Sequence, residues 1–303
     1  MTFAKAVFLA ARPKTLPAAI APVLLGTACA TLAAHAFSPI PAIFAALFAL
    51  FSQIACNLAN DYGDFKKGAD TQARIGPQRA TSQGWLSPQQ TLLAALTSVL
   101  VAVACGLGLV QYGGLPMIAV GAISVVACLA YTLGPFPLAY HGLGDVFVVV
   151  FFGFVAVAFT AFTQCGEFPQ FMWIVALACG LGADNILLIN NLRDRQTDSA
   201  AGKRTTVVIF GEAFGKNLYR FNVAVMFLSP LVLRYFFRFE SLCILLPMVV
   251  LPLLMPGLLP PLKNFKTPAE LNPLLGKSAQ FLLAYALAQS IGLFVQFGLV
   301  AKG

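Results

Sequence analysis

The sequence predicts an all-α, polytopic membrane protein, a bundle of about nine transmembrane helices whose N-terminus lies in the cytoplasm. Hydrophobic residues make up 59% of the 303 residues and charged residues only 10%, whereas a soluble domain carries about 25% charged residues. The mean hydropathy is +0.84. This composition indicates an integral membrane protein and excludes an ordinary soluble domain.

Nine apolar runs are long enough to cross a bilayer, because about 17 to 25 helical residues span its hydrocarbon core. In chain order they are residues 16–34, 40–57, 92–111, 117–133, 146–162, 171–189, 221–237, 242–259 and 281–299. No linker divides these runs, so residues 1–303 are predicted to form a single domain.

The distribution of Lys and Arg predicts the orientation in the membrane, because cytoplasmic loops carry an excess of both. With the N-terminus inside, sixteen of the 19 basic residues fall in cytoplasmic segments, and only Arg234, Arg238 and Lys302 fall outside. The C-terminus of a nine-span chain then lies outside. The net charge of +8 therefore reflects topology and anion binding, and nucleic acid is not expected as a partner.

Two short acidic stretches stand at matching places in this apolar chain. The first reads NLANDYGD and ends at Asp64, and the second reads NNLRDRQTD and ends at Asp198. They follow predicted spans two and six, so both emerge on the cytoplasmic face and form a parallel repeat displaced by four helices. On a helix, one face would carry Asn57, Asp61 and Asp64 in the first stretch, and Asn190, Asp194 and Asp198 in the second.

Paired carboxylates at the end of a membrane helix bundle suit Mg²⁺. This ion binds few carboxylates and leaves coordination positions for phosphate oxygens. Clustered like charges repel one another, and a divalent cation removes that repulsion. Asn60, Asn190 and Asn191 are expected to add neutral oxygens or to orient the carboxylates. Solvated residues at a helix end are the alternative, which the repetition of the pattern disfavours. The sequence therefore predicts Mg²⁺-dependent chemistry on a diphosphate whose organic tail lies in lipid.

Basic residues near the acidic stretches are candidates for binding the diphosphate. Arg79 in RIGPQRATSQG and Lys203 in AAGKRTT lie in loops that follow the two stretches, and Arg suits two-pronged phosphate binding. Arg12 and Lys14, which precede the first span, are further candidates. Topology alone explains most of the other basic residues.

The segment YTLGPFPLAYHGLGD joins predicted spans four and five on the cytoplasmic face. Tyr131 and Tyr140 are predicted to line a pocket for an aromatic acceptor. Two interpretations of Asp145 remain open, a substrate contact and an N-cap of span five. Asp184 lies within span six, where an acid is a functional candidate by default; the alternative is a hydrogen-bonded interior residue beside Asn185.

These segments, NDYGDFKKGAD, RIGPQRATSQG, YTLGPFPLAYHGLGD and NNLRDRQTDSAAGKRTT, resemble the UbiA superfamily of intramembrane prenyltransferases over nearly the whole chain. The stretches RPKTLP and YTLGP resemble most closely its 1,4-dihydroxy-2-naphthoate polyprenyltransferase branch. The second family motif, DxxxD, is matched from Asp194 to Asp198. The first, commonly written NDxxDxxxD, is matched by Asn60, Asp61 and Asp64, and its last acid is displaced to Asp70.

The resemblance implies that Asp61, Asp64, Asp194 and Asp198 are the catalytic residues and hold Mg²⁺ through the diphosphate of a polyprenyl diphosphate. It implies transfer of the polyprenyl group to 1,4-dihydroxy-2-naphthoate, with loss of CO₂ and diphosphate, giving demethylmenaquinol of menaquinone biosynthesis. The expected location is the cell inner membrane, with the active site facing the cytoplasm and a lateral opening to the lipid bilayer. Neither prenyl length nor oligomeric state follows from the sequence.

Two alternatives to this function remain. One is a prenyltransferase for another aromatic acceptor, such as 4-hydroxybenzoate. The other is a secondary transporter, which would place its acids near the bilayer midplane, often in inverted repeats. The acidic stretches instead lie at span ends on one face, which favours the enzyme.

Overall fold

The computed structural model describes residues 2–68 and 75–300, and the regular structure within those residues is helical. The helices are α1 (Phe3–Ala10), α2 (Pro17–Ala34), α3 (Pro39–Lys66), α4 (Pro88–Gly113), α5 (Pro116–Ala130), α6 (Gly144–Val148), α7 (Ala156–Cys165), α8 (Met172–Ala200), α9 (Thr206–Phe210), α10 (Glu212–Tyr235), α11 (Leu246–Leu254), α12 (Leu259–Asn264) and α13 (Asn272–Val300). A π-helical segment, Val149–Val155, joins α6 to α7. The all-α fold class is thereby confirmed.

The nine predicted spans all fall on helical segments. Within the described residues, seven segments have the length and hydropathy of a membrane span: Pro17–Ala34, Pro39–Lys66, Pro88–Gly113, Gly144–Cys165, Met172–Ala200, Leu242–Asn264 and Pro268–Val300. The chain is therefore a multi-pass membrane protein. The other two predicted spans fall on α5, which has 15 residues, and on α10, so the total of nine stays a prediction.

The starts of the long helices follow from the local sequence. Proline is the first residue of four of them, at Pro17, Pro39, Pro88 and Pro116. At this position a helix needs no N–H donor, and the fixed φ of proline already matches the helix. At the start of α4, the Ser87 hydroxyl accepts from the backbone of Gln90, whose side chain accepts from the Ser87 backbone. This reciprocal pair satisfies two N–H groups that the helix leaves open.

Small residues let helix backbones touch inside the bundle. A Cβ on Gly180 of α8 would lie 2.6 Å from the Val149 carbonyl oxygen, and one on Gly26 of α2 would lie 2.5 Å from the Val157 carbonyl oxygen. Such close approach is typical of membrane helices, whose association depends on van der Waals packing. These two glycines allow α8 to pack closely against the π-helical segment and α2 to pack closely against α7.

The acidic stretches form the last turns of α3 and α8. The apolar run predicted to end at 57 continues as α3 to Lys66, and the run predicted to end at 189 continues as α8 to Ala200. Asp61 and Asp64 are only 1% and 3% exposed. The helix ends extend beyond the apolar runs because their polar side chains find polar partners within the protein.

Candidate active site

The ends of α3 and α8 meet around a cavity of about 110 Å³, which we call the acidic cavity. Its lining includes three predicted carboxylates and three predicted amides: Asp64, Asp194, Asp198, Asn60, Asn190 and Asn191. Arg12, Arg79 and Lys203 line the same cavity. The fold therefore brings most of the residues predicted from the two acidic stretches into one place.

Lys203 contacts both acidic stretches. Its ammonium nitrogen lies 3.1 Å from Asp64 Oδ1 and 3.7 Å from Asp198 Oδ1. The backbone of Gly202, with a φ of +75°, allows the chain to turn after α8, and the Lys203 N–H then donates to the Asp198 carbonyl at 2.8 Å. The Arg204 N–H donates to the Tyr140 carbonyl at 3.1 Å and fastens this turn to the neighbouring loop.

The loop between α3 and α4 folds over the first acidic stretch. Arg79 Nη2 lies 3.2 Å from Asp64 Oδ2, and the Ala80 N–H donates to Asp61 Oδ2 at 3.0 Å. Asp61 is not among the residues that line the acidic cavity. Asp64 therefore faces the cavity, whereas Asp61 binds the loop beside it.

Arg193 makes a two-pronged ion pair with Asp194, with N–O distances of 2.8 and 2.6 Å. Its Nη1 donates to Asn272 Oδ1 at 3.3 Å, and the Asn272 amide donates to the Ile75 carbonyl at 3.1 Å. A Cβ on Gly76 would lie 2.6 Å from Arg193 Nη2. Arg193 thus holds Asp194 in place and ties α8 to α13 and to the loop after α3. Asn272 was not predicted from the sequence, because nothing in its local sequence marks a contact so distant along the chain.

Tyr140 lies on the charged side of the site. Its hydroxyl donates to Asp64 Oδ1 at 3.3 Å, and the ammonium groups of Lys67 and Lys203 lie 4.4 and 5.1 Å from its ring centre, within cation–π range. Lys67 also donates to the Thr132 carbonyl at 2.7 Å. Partial burial lowers the pKa of Lys67; the Asp64 carboxylate opposes this shift and the Lys203 charge adds to it. Neither the contact of Lys67 with Tyr140 nor that with Thr132 was predicted from the sequence.

A second, apolar cavity of about 280 Å³ adjoins the acidic one. Both cavities are lined by the same five residues at their junction: Arg12, Asn60, Tyr131, Leu187 and Asn190. Beyond the junction, the apolar cavity is lined by phenylalanines that include Phe48, Phe151 and Phe159. Tyr131 therefore lies where a polar head group would meet an apolar body.

Some predicted residues lie elsewhere or hold other partners. Lys14 is exposed and is not among the residues that line either cavity. Asn57 donates to the Ala11 carbonyl at 2.9 Å, and Asn60 accepts from Thr132. Asp70, Arg74 and Lys302 lie outside the described residues.

Asp145, which lines the acidic cavity, and Asp184, which does not, belong to one buried cluster. α6 begins at Gly144 with Leu143 as its N-cap, so the interpretation of Asp145 as the N-cap is wrong. Asp145 Oδ2 instead accepts from the Thr206 hydroxyl at 2.7 Å. Asp184 Oδ2 accepts from the Asn222 amide at 2.9 Å, which agrees with a hydrogen-bonded interior acid.

The donor set fits a metal that is bound together with a phosphate ligand. Within residues 2–68 and 75–300, no three His, Cys, Asp or Glu side chains are close enough to hold a metal by themselves. Mg²⁺ commonly uses one or two carboxylates and fills its other positions with phosphate oxygens and water. Asp64, Asp194 and Asp198 line one cavity with three amide side chains, so carboxylates of both stretches could share such an ion with a diphosphate.

Two relatives match nearly the full length of the chain. A 1,4-dihydroxy-2-naphthoate octaprenyltransferase of Escherichia coli (strain K12) is 35% identical over 292 residues, which cover 94% of this chain and 93% of that protein. A protein of the same name from Haemophilus influenzae is 33% identical over 296 residues, with 94% of each chain covered.

The fold also matches a solved structure, a UbiA homolog from Archaeoglobus fulgidus bound to DMAPP and Mg²⁺. The TM-score is 0.59 at 15% sequence identity, and the match covers 93% of this chain and 97% of that one. The pattern that defines the UbiA prenyltransferase family matches residues 19–268. The chain therefore belongs to the UbiA prenyltransferase family.

Proposed function

We propose that this protein transfers a polyprenyl group from a polyprenyl diphosphate to 1,4-dihydroxy-2-naphthoate, with loss of CO₂ and diphosphate, giving demethylmenaquinol for menaquinone biosynthesis. The observation that carries the proposal is the junction of a charged cavity with an apolar one at Tyr131. Such a junction suits a substrate with a diphosphate head and an isoprenoid tail. The names of the Escherichia coli and Haemophilus influenzae relatives support this choice of acceptor.

The basic residues of the acidic cavity would bind the diphosphate. Lys203 and Arg79 both contact Asp64, so an incoming diphosphate would compete with this carboxylate for their charges. Mg²⁺, when bound, would neutralise charge that develops on the departing diphosphate. Asp61, Asp64, Asp194 and Asp198 are the proposed ligands, and the Mg²⁺ in the Archaeoglobus fulgidus homolog supports this choice of metal.

The apolar cavity would surround the allylic carbon during its bond formation with the acceptor ring. The allylic C–O bond breaks as the electron-rich ring attacks the allylic carbon. Phe48, Phe151 and Phe159 would exclude water from the positive charge that develops on that carbon. Tyr131 would contact the acceptor ring at the junction, since it lines both cavities.

The proposed location is the cell inner membrane, with the acidic cavity facing the cytoplasm. The excess of Lys and Arg in the segments that include this cavity supports the orientation. Prenyl diphosphates and dihydroxynaphthoate would then reach the site from the cytoplasmic side, and the prenyl tail would enter from the bilayer.

The decisive experiment combines purified protein with 1,4-dihydroxy-2-naphthoate, prenyl diphosphates of several lengths and Mg²⁺, and identifies the products by mass. We expect prenylated, decarboxylated naphthohydroquinone and one diphosphate per product, both abolished by chelation. Parallel reactions with 4-hydroxybenzoate provide the acceptor control, and Asp194→Asn provides the site control. Product from 4-hydroxybenzoate alone would reassign the acceptor, and absence of Mg²⁺-dependent diphosphate release would refute prenyl transfer.

A further inference from the structure

Asp145 and Asp184 form a buried pair of carboxyl groups at the side of the acidic cavity. Asp145 stands at the start of α6 and is 7% exposed, and Asp184 stands within α8 and is 1% exposed. The two carboxyl groups lie close enough to affect each other's ionisation. Two negative charges would repel each other in so buried a place, and a single shared proton, which leaves one negative charge on the pair, removes that repulsion.

The other contacts of the pair agree with a single shared proton. Thr206 donates to Asp145 Oδ2 and Asn222 donates to Asp184 Oδ2. The Oδ1 atom of each acid is buried and has no hydrogen-bond partner within the described part of the chain. A proton held between the two groups provides the missing donor, and without it two like charges would repel in a buried place.

The cluster continues behind Asp184 into α10. The Asn222 amide also donates to Asn185 Oδ1 at 3.1 Å. This leaves Asn222 Oδ1 and Asn185 Nδ2 buried and without a partner in the residues that the structure describes. One acceptor and one donor at this place suit a buried water, which would complete the support of the pair.

The pair stands next to the place proposed for the acceptor ring. Asp145 lines the acidic cavity, and a Cβ on the preceding Gly144 would lie 3.2 Å from the Tyr131 hydroxyl oxygen. Glycine at this position therefore allows Tyr131 to approach the start of α6. A ring held against Tyr131 at the junction of the cavities would have Asp145 beside it.

We propose that Asp145 is a further catalytic residue, which takes a proton from a ring hydroxyl of the acceptor and returns it, and that Asp184 is the residue that positions it. This inference rests on the proposed function, because it needs an acceptor with an ionisable hydroxyl. The hydroxyl then loses its proton as a ring carbon attacks, and the charge left on the oxygen raises the electron density of the ring.

The proton balance of the reaction suits such a pair. As the new C–C bond forms, the allylic C–O electron pair leaves with diphosphate, and the ring O–H bond breaks to give a C=O group and a protonated Asp145. The bond between the ring and the carboxylate then breaks, CO₂ leaves, and its electron pair restores the aromatic ring. The ring oxygen takes the proton back, so the pair begins and ends with one proton and no outside acid is consumed.

Substitution by asparagine tests this role without removing the hydrogen bonds. Asp145→Asn keeps the shape and can donate to Asp184, but it cannot take a proton. We expect its kcat to fall about 100-fold, with an unchanged KM for the prenyl diphosphate. Asp184→Asn can still donate to an intact Asp145 carboxylate, so we expect a smaller loss, about tenfold. Glu212→Gln, whose carboxylate pairs with Lys216 at 2.7 Å outside both cavities, is the control.

An altered acceptor separates proton transfer from a merely structural role. Methylation of the ring hydroxyl that faces Asp145 should slow the unaltered protein to the rate of Asp145→Asn, and the variant should lose no further activity, because both changes remove one interaction. Two results would overturn the inference. One is that the losses from methylation and from Asp145→Asn add, whichever of the two ring hydroxyls is methylated. The other is a kcat for Asp145→Asn within about threefold of that of the unaltered protein. An unaltered protein that prenylates no naphthoate would instead overturn the proposed function, and this inference with it.

Discussion

The Lys203 ammonium lies 3.1 Å from Asp64 Oδ1, so the turn that follows α8 is ion-paired with the end of α3. Both side chains are largely buried, at 14% and 4% exposure, which strengthens the attraction relative to a pair in water. Asp64 also pairs with Arg79, so one carboxylate receives cations from the loops after both acidic stretches. Ion pairs therefore join the two parts of the site, the ends of α3 and α8, in addition to the packing between helices.

Replacement of Lys203 by glutamine should slow the reaction without preventing metal binding. A charge-assisted contact with phosphate contributes about 1.5–3 kcal/mol, so we expect kcat to fall about 10- to 100-fold if the contact strengthens in the transition state. Lys203→Arg should recover part of this loss. Steady-state kinetics with Lys216→Gln as the control would test it, because Lys216 pairs with Glu212 away from the cavity. Wild-type kcat in Lys203→Gln would show that this charge only holds the loop.

Arg79 should depend on its planar guanidinium as well as on its charge. Its side chain is 9% exposed and lies 3.2 Å from Asp64, at the edge of the acidic cavity. We expect Arg79→Ala to lower kcat about 10- to 100-fold, and Arg79→Lys to recover only part, because an ammonium cannot make a two-pronged contact. The same kinetic measurements apply. Equal activity of the Lys variant and the unaltered protein would argue against the two-pronged contact.

The sequence predicted the acids of this site better than it predicted their supports. Asp64, Asp194 and Asp198 could be found because helical spacing places them on one face and the pattern occurs twice. Asn272 and Thr206, by contrast, bond to Arg193 and Asp145 across the fold, and no local spacing records such contacts. The apolar runs likewise do not mark the ends of α3 and α8, because the polar last turns of both helices are held by distant partners.

The orientation of the chain can be tested by labelling single cysteines. The seven native cysteines would first be replaced, and one cysteine then introduced at Lys66, Ser199 or Glu167, which are all exposed. The excess of basic residues predicts that the first two react with an impermeant reagent only from the cytoplasmic side, and the third only from outside. Labelling of all three from one side would refute the nine-span topology.

Close packing between α8 and the π-helical segment should make Gly180 intolerant of a methyl group. The added Cβ would meet the Val149 carbonyl oxygen at 2.6 Å, and that atom belongs to a backbone that cannot move alone. We expect Gly180→Ala to lose about 1–3 kcal/mol of stability, measured as a fall in Tm in detergent. Gly276→Ala is the matched control, because a Cβ there meets no atom within 4 Å. Equal Tm values for the two variants would contradict this account of the packing.

Asp61 provides the sharpest separation of metal binding from loop positioning. Its Oδ2 accepts from the Ala80 N–H at 3.0 Å, and an asparagine oxygen could accept the same bond. Asp61→Asn should therefore keep the loop in place but remove one negative charge from the proposed metal site, so that the apparent affinity for Mg²⁺ falls.

The measurement is the Mg²⁺ concentration that gives half-maximal activity, compared among Asp61→Asn, Asp194→Asn and Arg79→Ala. The first two variants should require more Mg²⁺, because each removes a charge that attracts the cation. Arg79→Ala should lower the maximal rate and should not raise the Mg²⁺ requirement, because it removes a cation and adds no repulsion. An unchanged Mg²⁺ requirement in Asp61→Asn, together with normal activity, would restrict this residue to its bond with the Ala80 backbone and leave the metal to the carboxylates that line the acidic cavity.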